Sequence, residues 1–244
     1  AEVTGLKNSD NELFSEYEYQ VMEGAMASNV KCQFTTEKTL QLENCGFEEW
    51  SGSKPMYIAA SSSDFFWDSG NHGSSSVSAF ATDLTTADSS VKVEGKYSAK
   101  LQSKKIVIKF AAGNLFIGKY LDTQKMNGIL GWGRSFTSRP VALTGYIRYT
   151  SGTVDNGGKY IENGEQDKGQ VFIALGDWEG QTYGGETWPL IVDTRDAATF
   201  FDPKGDNVIA YGEQTWDSST EGENMHPFVI RLNYSLERIP TSIV

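Results

Sequence analysis

The sequence predicts an all-β sandwich, on three observations. Short apolar or alternating segments recur along the chain and are separated by polar, Gly-rich turns, which is typical of such folds. Residues that favour strands are abundant, with 6 Trp, 11 Tyr and 13 Phe in 244 residues. No segment shows a convincing apolar stripe at helical spacing. Hydrophobic residues make up 39% of the chain, which is enough for a packed core.

The predicted strands follow one another with turn residues between them. They are residues 40–50, 91–101 (interrupted by one turn), 106–110, 113–118, 141–149, 170–175, 207–211 and 226–234. Residues 170–175 form a nearly continuous apolar run, so this strand is predicted to be buried on both faces or to be central in its sheet. Before residue 40, Tyr17, Tyr19 and Val21 alternate with polar residues and favour a strand. A possible helix start at residues 9–12 is the alternative for this part.

The charge of the chain limits its partners. Lys and Arg number 21 against 32 Asp and Glu, a net charge of −11. Nucleic acid is held by clustered cations, so no nucleic-acid partner is predicted. An acidic surface also repels anionic lipid headgroups, and it suits neutral partners such as sugars. No run approaches the ~18 apolar residues of a membrane helix, so no transmembrane segment is predicted.

Motifs for cofactor and nucleophile chemistry are missing from the sequence. No Gly-x-Ser-x-Gly elbow, phosphate-binding loop or His-Glu-x-x-His motif occurs, so no cofactor is predicted. His72 and His226 lie far apart and do not have the ligand spacing of a zinc site. Cys32 and Cys45 would contribute about 3 kcal/mol if they formed a disulfide, and two free thiols are equally compatible with the sequence.

Three segments contain aromatic residues that are flanked by Gly and polar residues, so their rings are candidates for exposure. They contain Trp67 (residues 64–73), Trp132 (131–135) and Trp178 with Trp188 (176–188). A sugar ring has an apolar face of C–H groups that stacks on a flat aromatic ring. We therefore predict that Trp67, Trp132 and Trp178 stack on a sugar. The alternative is that these rings fold back over the ends of the core.

Polar residues in or near the same segments are candidates for the hydroxyl rim of a sugar. We predict contacts from Asp68, Arg134, Glu179 and Arg139, since hydrogen bonds from charged groups are the stronger kind. Tyr183 and Trp188 complete the predicted ligand-binding set. Arg139 precedes Pro140 at a predicted strand start, so a structural partnership with a carboxylate is its alternative role.

Glycoside hydrolysis needs only two suitably placed carboxylates. Glu179 and Glu186 flank Tyr183 and are candidates for catalytic residues, and Glu162 and Glu165 form another close pair. Among 32 acidic residues such pairs arise by chance. Loop carboxylates that face solvent are the alternative, and the catalytic residues remain unknown.

Four stretches together resemble one known family. They are residues 44–50 (NCGFEEW), 95–101 (GKYSAKL), 112–118 (AGNLFIG) and 133–149 (GRSFTSRPVALTGYIRY). In order and spacing they are similar to the signatures of the putative carbohydrate metabolism domain family of gut Bacteroides-type bacteria. Residues 207–212 and 238–241 resemble its later strands.

The resemblance implies a jelly-roll β-sandwich similar to carbohydrate-binding modules, with a role in glycan use. It implies an exported protein in the periplasm or on the outer-membrane surface, and leaves open a lipid-anchored precursor. The sequence begins at Ala1 without Met or a hydrophobic leader, as a processed export product would, and as a recombinant product also would. Related jelly rolls hold a structural Ca²⁺, for which Glu48 is the candidate ligand here.

The resemblance divides the chain into two segments. Residues 40–244 form the jelly-roll domain, and residues 1–39 contribute extra strands or are the remnant of a preceding domain. The chain stops at residues 242–244 within a predicted strand. Either a last strand of the domain is lacking, or the segment before Leu40 takes its place.

Glycan binding in polysaccharide utilisation, by aromatic stacking and polar loop contacts, is the leading hypothesis. A glycoside hydrolase of uncharacterised type and a structural or adhesive β-sandwich without a sugar site are the alternatives. A binding module predicts Trp67, Trp132 or Trp178 together in one exposed site. An enzyme predicts two carboxylates across a cleft, one of them desolvated. A structural module predicts buried aromatic residues.

Overall fold

A computed structural model describes residues 41–244, except residues 64, 77, 107, 108, 159 and 160, and the backbone of residues 14–21 and 28–35. The chain divides into two units, Ala1–Leu42 and Glu43–Val244. In the first unit, β1 (Phe14–Val21) pairs antiparallel with β2 (Ser28–Thr35). The alternating segment around Tyr17 and Tyr19 therefore lies in a strand, as predicted.

The second unit consists mainly of short strands. Their bounds are β3 Ser51–Gly52, β4 Met56–Tyr57, β5 Trp67–Asp68, β6 Thr85–Asp88, β7 Ser98–Leu101, β8 Lys104–Ile106, β9 Lys109–Ala111, β10 Phe116–Gln124, β11 Asn127–Trp132, β12 Arg134–Ser135, β13 Ala142–Ile147, β14 Gly169–Gly176, β15 Gln181–Tyr183, β16 Glu186–Trp188, β17 Leu190–Asp193, β18 Val208–Trp216, β19 His226–Arg231, β20 Asn233–Tyr234 and β21 Ser242–Ile243. One α-helix, α1 (Asn71–Ser75), and two 3₁₀ turns, Ser78–Phe80 and Ala197–Thr199, are also described. The all-β prediction is confirmed.

Two larger sheets organise this unit. One has the strand order β17-β11-β10-β5, and the other the order β12-β21-β14-β18-β20. The pairs β13-β19, β15-β16, β3-β4, β6-β7 and β8-β9 form two-stranded ribbons. Neighbouring strands pair antiparallel in both sheets.

The core of the five-stranded sheet lies at the carboxyl end of β14. Ile173, Ala174 and Leu175 are buried there, and Leu175 lies opposite the buried Ala210 of β18. The prediction that residues 170–175 are buried on both faces or central in a sheet is confirmed for the central position, since β14 is the middle strand of five. Burial on both faces holds for the second half of the run. Gln170 is exposed and Val171 and Phe172 are half-buried, so burial increases towards the carboxyl end of the strand.

The last residues of the chain form a strand inside this sheet. Strand β21 pairs with β12 on one side and with β14 on the other. Ile243 is 1% exposed and Val244 8% exposed. The strand predicted at residues 242–244 is therefore paired and contributes to the core.

The alternating segment predicted over residues 91–101, with one turn inside it, forms a strand only in its second part. Only Ser98–Leu101 is a strand. The Asp88 carboxylate accepts hydrogen bonds from the backbone N–H of Ser90 and Val91, and Gly95 has a φ of +67°. The carboxylate competes with strand pairing for these backbone groups, and positive φ interrupts an extended strand.

The segment around Asn71 is a helical turn built on a buried amide. Asn71 is fully buried, and its Nδ2 donates to the carbonyls of Met56 (3.0 Å) and Thr85 (2.7 Å). Its Oδ1 accepts from the N–H of Leu84 (2.8 Å) and of Thr85 (3.0 Å). All four hydrogen-bonding positions of the amide are used, so this side chain joins α1 to β4 and β6.

Among the residues described, no helix has the length and apolar character needed to cross a membrane.

We expect Asn71→Ala to lower the free energy of unfolding by about 3 kcal/mol or more, because each buried polar group left without a partner costs about 1–3 kcal/mol. Urea denaturation measures the change. The control is Asn163→Ala, which removes one hydrogen bond, to the N–H of Gly157, from an exposed loop. A loss of stability no larger than in the control would contradict the structural role of Asn71.

Candidate functional site

A row of aromatic rings lies where the two larger sheets meet. We call it the aromatic row: Phe116, Trp132, Phe172, Phe201, Tyr211 and Trp178. Centroid distances are 6.1 Å from Trp132 to Phe172, 5.3 Å from Phe172 to Phe201 and 6.3 Å from Phe201 to Trp178. Each ring of the row is half-buried, so part of its surface faces solvent.

Strand register explains why the central rings meet. Phe172 lies opposite Glu213, and Ala174 lies opposite Tyr211. Directly opposed residues project from the same face of a sheet, so Phe172, Tyr211 and Glu213 share one face. Trp132, at the end of β11 in the other sheet, reaches this face at Phe172.

Two connecting segments complete the aromatic row. Phe201 follows the 3₁₀ turn that Asp196 caps by accepting a hydrogen bond from the Ala198 N–H. Trp178 follows the end of β14 and folds back against Gly176. A Cβ at Gly176 would come within 2.6 Å of the Trp178 ring, so this position allows the close approach because it is a glycine.

A carboxylate lies beside the row on the same face of the sheet. Glu213 is exposed, and its Oε2 accepts from the Tyr211 hydroxyl (2.8 Å) and from Nε2 of Gln170 (2.7 Å). Burial and the hydrogen bond to Glu213 raise the pKa of Tyr211. Tyr211 therefore keeps its proton and donates. The arrangement places flat apolar rings next to an immobilised acceptor.

The structure brings together two of the three predicted tryptophans. Trp132 and Trp178 are linked through Phe172 and Phe201, which sequence reasoning did not single out. Trp132 lies in β11, and not in a loop as expected. Phe172 and Tyr211 could have been found from the alternation of their strands, which sets both next to exposed polar residues at positions 170 and 213.

Trp67 belongs to a different cluster. It lies in β5, and its ring contacts Phe47 (5.5 Å between centroids) and Phe66 (5.4 Å). Its indole N–H donates to the carbonyl of Glu43 at 2.7 Å. The prediction that Trp67 shares a site with the other two is not supported by this placement, since its N–H and its neighbours tie it to the 43–47 turn.

Trp188 is buried, and the half-buried Arg134 packs on its ring. Trp188 is 6% exposed and covers Gly131, where its ring leaves no room for a Cβ. The Arg134 guanidinium lies 4.4 Å from the centroid of the Trp188 ring and donates to the Phe65 carbonyl at 2.5 Å. Both were predicted to contact a ligand. Trp188 is buried and Arg134 is bound to a backbone carbonyl and to the Trp188 ring, so both have structural partners. A ligand contact from either residue stays a prediction.

Asp68, predicted at a ligand rim, is 3% exposed and therefore not available to a surface ligand. Its carboxylate accepts from the N–H of Ser69 and of Tyr120, both at 2.7 Å. The Gly118 N–H donates to the Phe66 carbonyl. The Asp68 side chain then accepts from the next outward-facing N–H of β10, that of Tyr120, and so extends the hydrogen bonding between β5 and β10. Burial raises the pKa of Asp68, against the opposing effects of these hydrogen bonds and of the neighbouring His72 and Arg134 side chains.

His72, which sequence reasoning left without a role, packs beside Asp68. Its Nε2 lies 3.7 Å from Asp68 Oδ2. The imidazole stacks on Tyr120, with centroids 5.4 Å apart, and meets Tyr57 edge-on at 5.3 Å. The imidazole therefore packs between Tyr57 and Tyr120, next to the buried carboxylate of Asp68.

The hairpin of β15 and β16 is attached to β10 by two polar contacts. The Tyr183 hydroxyl donates to Asp122 Oδ2 at 2.6 Å, and Lys119 Nζ lies 2.5 Å from Glu186 Oε1. Glu179 is exposed at the start of the hairpin. Tyr183 and Glu186 thus have structural partners. A catalytic role for Glu179 and Glu186 stays a prediction.

Arg139 is bound to backbone and to an aromatic ring. It donates to the carbonyls of Arg238 (2.5 Å) and Leu236 (3.2 Å), and its guanidinium lies 4.2 Å from the centroid of Tyr234. Arg139 therefore has the structural role that the sequence analysis gave as the alternative to ligand binding, but its partners are two carbonyls and an aromatic ring. A carboxylate partner had been expected.

Glu48, the candidate calcium ligand, connects two of the motifs that carry the family resemblance. Its carboxylate accepts from the N–H of Lys96 (2.8 Å) and Tyr97 (3.4 Å). Gly95 lies so close to this carboxylate that a Cβ would not fit. The part of the chain that is described contains no group of three or more His, Cys, Asp or Glu suited to a metal. Calcium binding at Glu48 stays a prediction.

Cys45 carries an exposed free thiol. The side chain of Cys32 lies outside the described residues.

The comparisons with known proteins agree with this fold. The model of the family described as Putative carbohydrate metabolism domain matches residues 43–241. The chain is similar to the structure of a putative glycoside hydrolase from Bacteroides thetaiotaomicron VPI-5482, with 18% identity, a TM-score of 0.57, and coverage of 94% of this chain and 70% of that chain. At this identity the likeness shows a shared fold.

A second similar structure is a putative glycoside hydrolase from Bacteroides vulgatus ATCC 8482, at 20% identity, a TM-score of 0.47, and coverage of 77% of this chain and 76% of that chain. No curated protein matches the chain.

Tyr183→Phe tests the contact between the hairpin and β10. Hydrogen bonds from Tyr183, then Gln124, and from the Thr123 N–H lower the pKa of Asp122. A lowered folded-state pKa contributes stability above the ordinary pKa, and this contribution is lost as pH falls through the folded-state pKa. In the variant we expect the pKa of Asp122 to rise towards its ordinary value, and the acid-side loss of stability to become shallower.

Carboxyl titration by NMR measures the change. Asp88 is the internal control, because the Ser90 hydroxyl and N–H lower its pKa independently of the hairpin. An unchanged Asp122 titration in Tyr183→Phe would show that the hydroxyl does not bind this carboxylate in solution.

Proposed function

Because the chain belongs to the Putative carbohydrate metabolism domain family, we propose that it binds a glycan on the aromatic row. The observation that carries the proposal is the chain of half-buried rings from Trp132 through Phe172 and Phe201 to Trp178. Rings that only completed a core would be covered. These rings keep part of their surface open beside exposed polar groups.

The chemistry of the row suits a sugar. The C–H face of a pyranose stacks on a flat ring, and burial of apolar area there contributes about 25 cal/mol per Å². Hydroxyl groups at the sugar edge donate to carboxylates such as Glu213 and exchange hydrogen bonds with Gln170. Glu179, next to Trp178, is exposed and can reach a ligand on that ring. The proposed site therefore retains Trp132, Trp178 and Glu179 from the sequence analysis.

Hydrolysis is the second candidate activity. It is favoured by the name of the Bacteroides thetaiotaomicron structure, a putative glycoside hydrolase. Glu179 follows Trp178 in the sequence and is exposed, while Glu186 is paired with Lys119. A role in polysaccharide utilisation, at the periplasm or the outer-membrane surface and with a lipid-anchored precursor, belongs to the same proposal.

Trp178→Ala tests the site against a matched control. Trp216 is on the same strand as Tyr211 but five positions further on, so its side chain projects from the opposite face. It is half-buried like Trp178 and meets Phe228 edge-on. We expect Trp178→Ala to weaken the affinity for the glycan selected on an array by about tenfold or more, which corresponds to about 1.4 kcal/mol. Trp216→Ala leaves it unchanged.

Isothermal titration of wild type and both variants measures the affinities, and chromatography of the glycan after prolonged incubation detects cleavage. An intact glycan supports a binding module, whereas defined products support the hydrolase. Equal effects of the two variants would place binding elsewhere. No binding on a broad glycan array would favour a structural or adhesive module.

A further inference from the structure

We propose that the ligand of the aromatic row is an uncharged oligosaccharide, and that Glu213 is the residue that selects it. This inference rests on the proposed function and specifies the ligand class of the same site. It follows from the geometry of one carboxylate and from the charges around the rings.

Glu213 is held in place before any ligand arrives. Tyr211 and Gln170 both donate to Oε2, and no described residue donates to Oε1. The carboxylate is exposed, so Oε1 remains available as an acceptor. An acceptor that its neighbours already orient loses little conformational freedom on binding. Charge-assisted hydrogen bonds from hydroxyls to a carboxylate are also stronger than neutral ones.

Residues next to the row are mostly acidic. Asp177 and Glu179 flank Trp178, and Asp202 follows Phe201. Of the nearby cations, Arg238 is paired with Asp177, at 3.1 Å between Nε and Oδ2. Arg134, two positions after Trp132, lies over the Trp188 ring and donates to the Phe65 carbonyl. Lys119, three positions after Phe116, is paired with Glu186, and Lys204 lies two positions after Asp202. Glycan carboxylates or sulfates would meet like charges here, an arrangement that rejects a partner.

The size of the row favours a chain of sugars. Three successive ring contacts, with centroid distances of 5.3–6.3 Å, connect Trp132 to Trp178. A single pyranose, about as large as one aromatic ring, covers only one such contact. Glu213 is bonded to Tyr211, whose ring contacts Phe172 and Phe201. When one sugar of a chain binds Glu213, the adjacent sugars of that chain can stack on these two rings.

Affinity electrophoresis of the whole chain tests the ligand class. The neutral probes are galactomannan, xyloglucan and mixed-linkage β-glucan, and the anionic probes are polygalacturonate and chondroitin sulfate. We expect at least one neutral probe to retard the protein, with little dependence on salt since no ionic contact to the ligand is involved. The anionic probes leave its mobility unchanged.

Glu213→Gln tests the selecting residue. We expect it to weaken binding of the neutral probe about tenfold or more, since a hydrogen bond to a charged group contributes about 1.5–3 kcal/mol. Tyr211→Phe removes one of the two donors that orient Glu213 and is expected to weaken binding less. Glu162→Gln is the control, because it removes the same charge from an exposed loop. Thermal unfolding of each variant confirms that it is folded.

The outcomes separate the two proposals. Retardation by polygalacturonate or chondroitin sulfate as strong as by the neutral probes, and abolished in Trp178→Ala, overturns the ligand class while the binding site stands. Equal affinities of Glu213→Gln and Glu162→Gln overturn the role of Glu213. Binding of all probes that is unaffected by Trp178→Ala, or no binding at all, overturns the proposed function together with this inference.

Discussion

The fully buried amide of Asn71 is the constraint on which the packing of β4, α1 and β6 depends. Its four hydrogen bonds join the turn after β5 to the backbone at Met56, Leu84 and Thr85. Buried backbone groups need partners, so these segments have one arrangement that leaves none unpaired. Strand β5 is thereby placed at the edge of the four-stranded sheet, where Asp68 binds the Tyr120 N–H.

Several charged residues that resemble ligand contacts in the sequence serve the backbone instead. Asp68 and Glu48 accept from backbone N–H groups, and Arg134 and Arg139 donate to carbonyls. A sandwich of many short strands has many strand ends, and each end leaves backbone groups outside the ladders. Charged side chains satisfy these groups strongly, so much of the polar chemistry of the loops is structural.

Four of the tryptophans fall into two groups, those held by structural contacts and those of the aromatic row. Trp188 lies over Gly131 beneath Arg134, and Trp67 is tied to the Glu43 carbonyl. Trp132 and Trp178 contact other aromatic rings and keep part of their surface open. The Trp132 Nε1 is buried and has no hydrogen-bond partner among the described residues, so its indole is held by packing. The proposed site therefore combines rings that are held by packing with surface that stays open to a ligand.

The sequence by itself determined the all-β class, the family, and Trp132 and Trp178 as aromatic candidates, because side-chain alternation and local motifs are properties of neighbouring residues. It also indicated that β14 is largely buried. Only the tertiary structure decided that Phe172, Phe201, Tyr211 and Glu213 lie together. They come from segments up to about forty residues apart, and the pairing of Ala174 with Tyr211 unites them. Alternation shows that a strand has two faces, but strand pairing and sheet packing decide which face is covered.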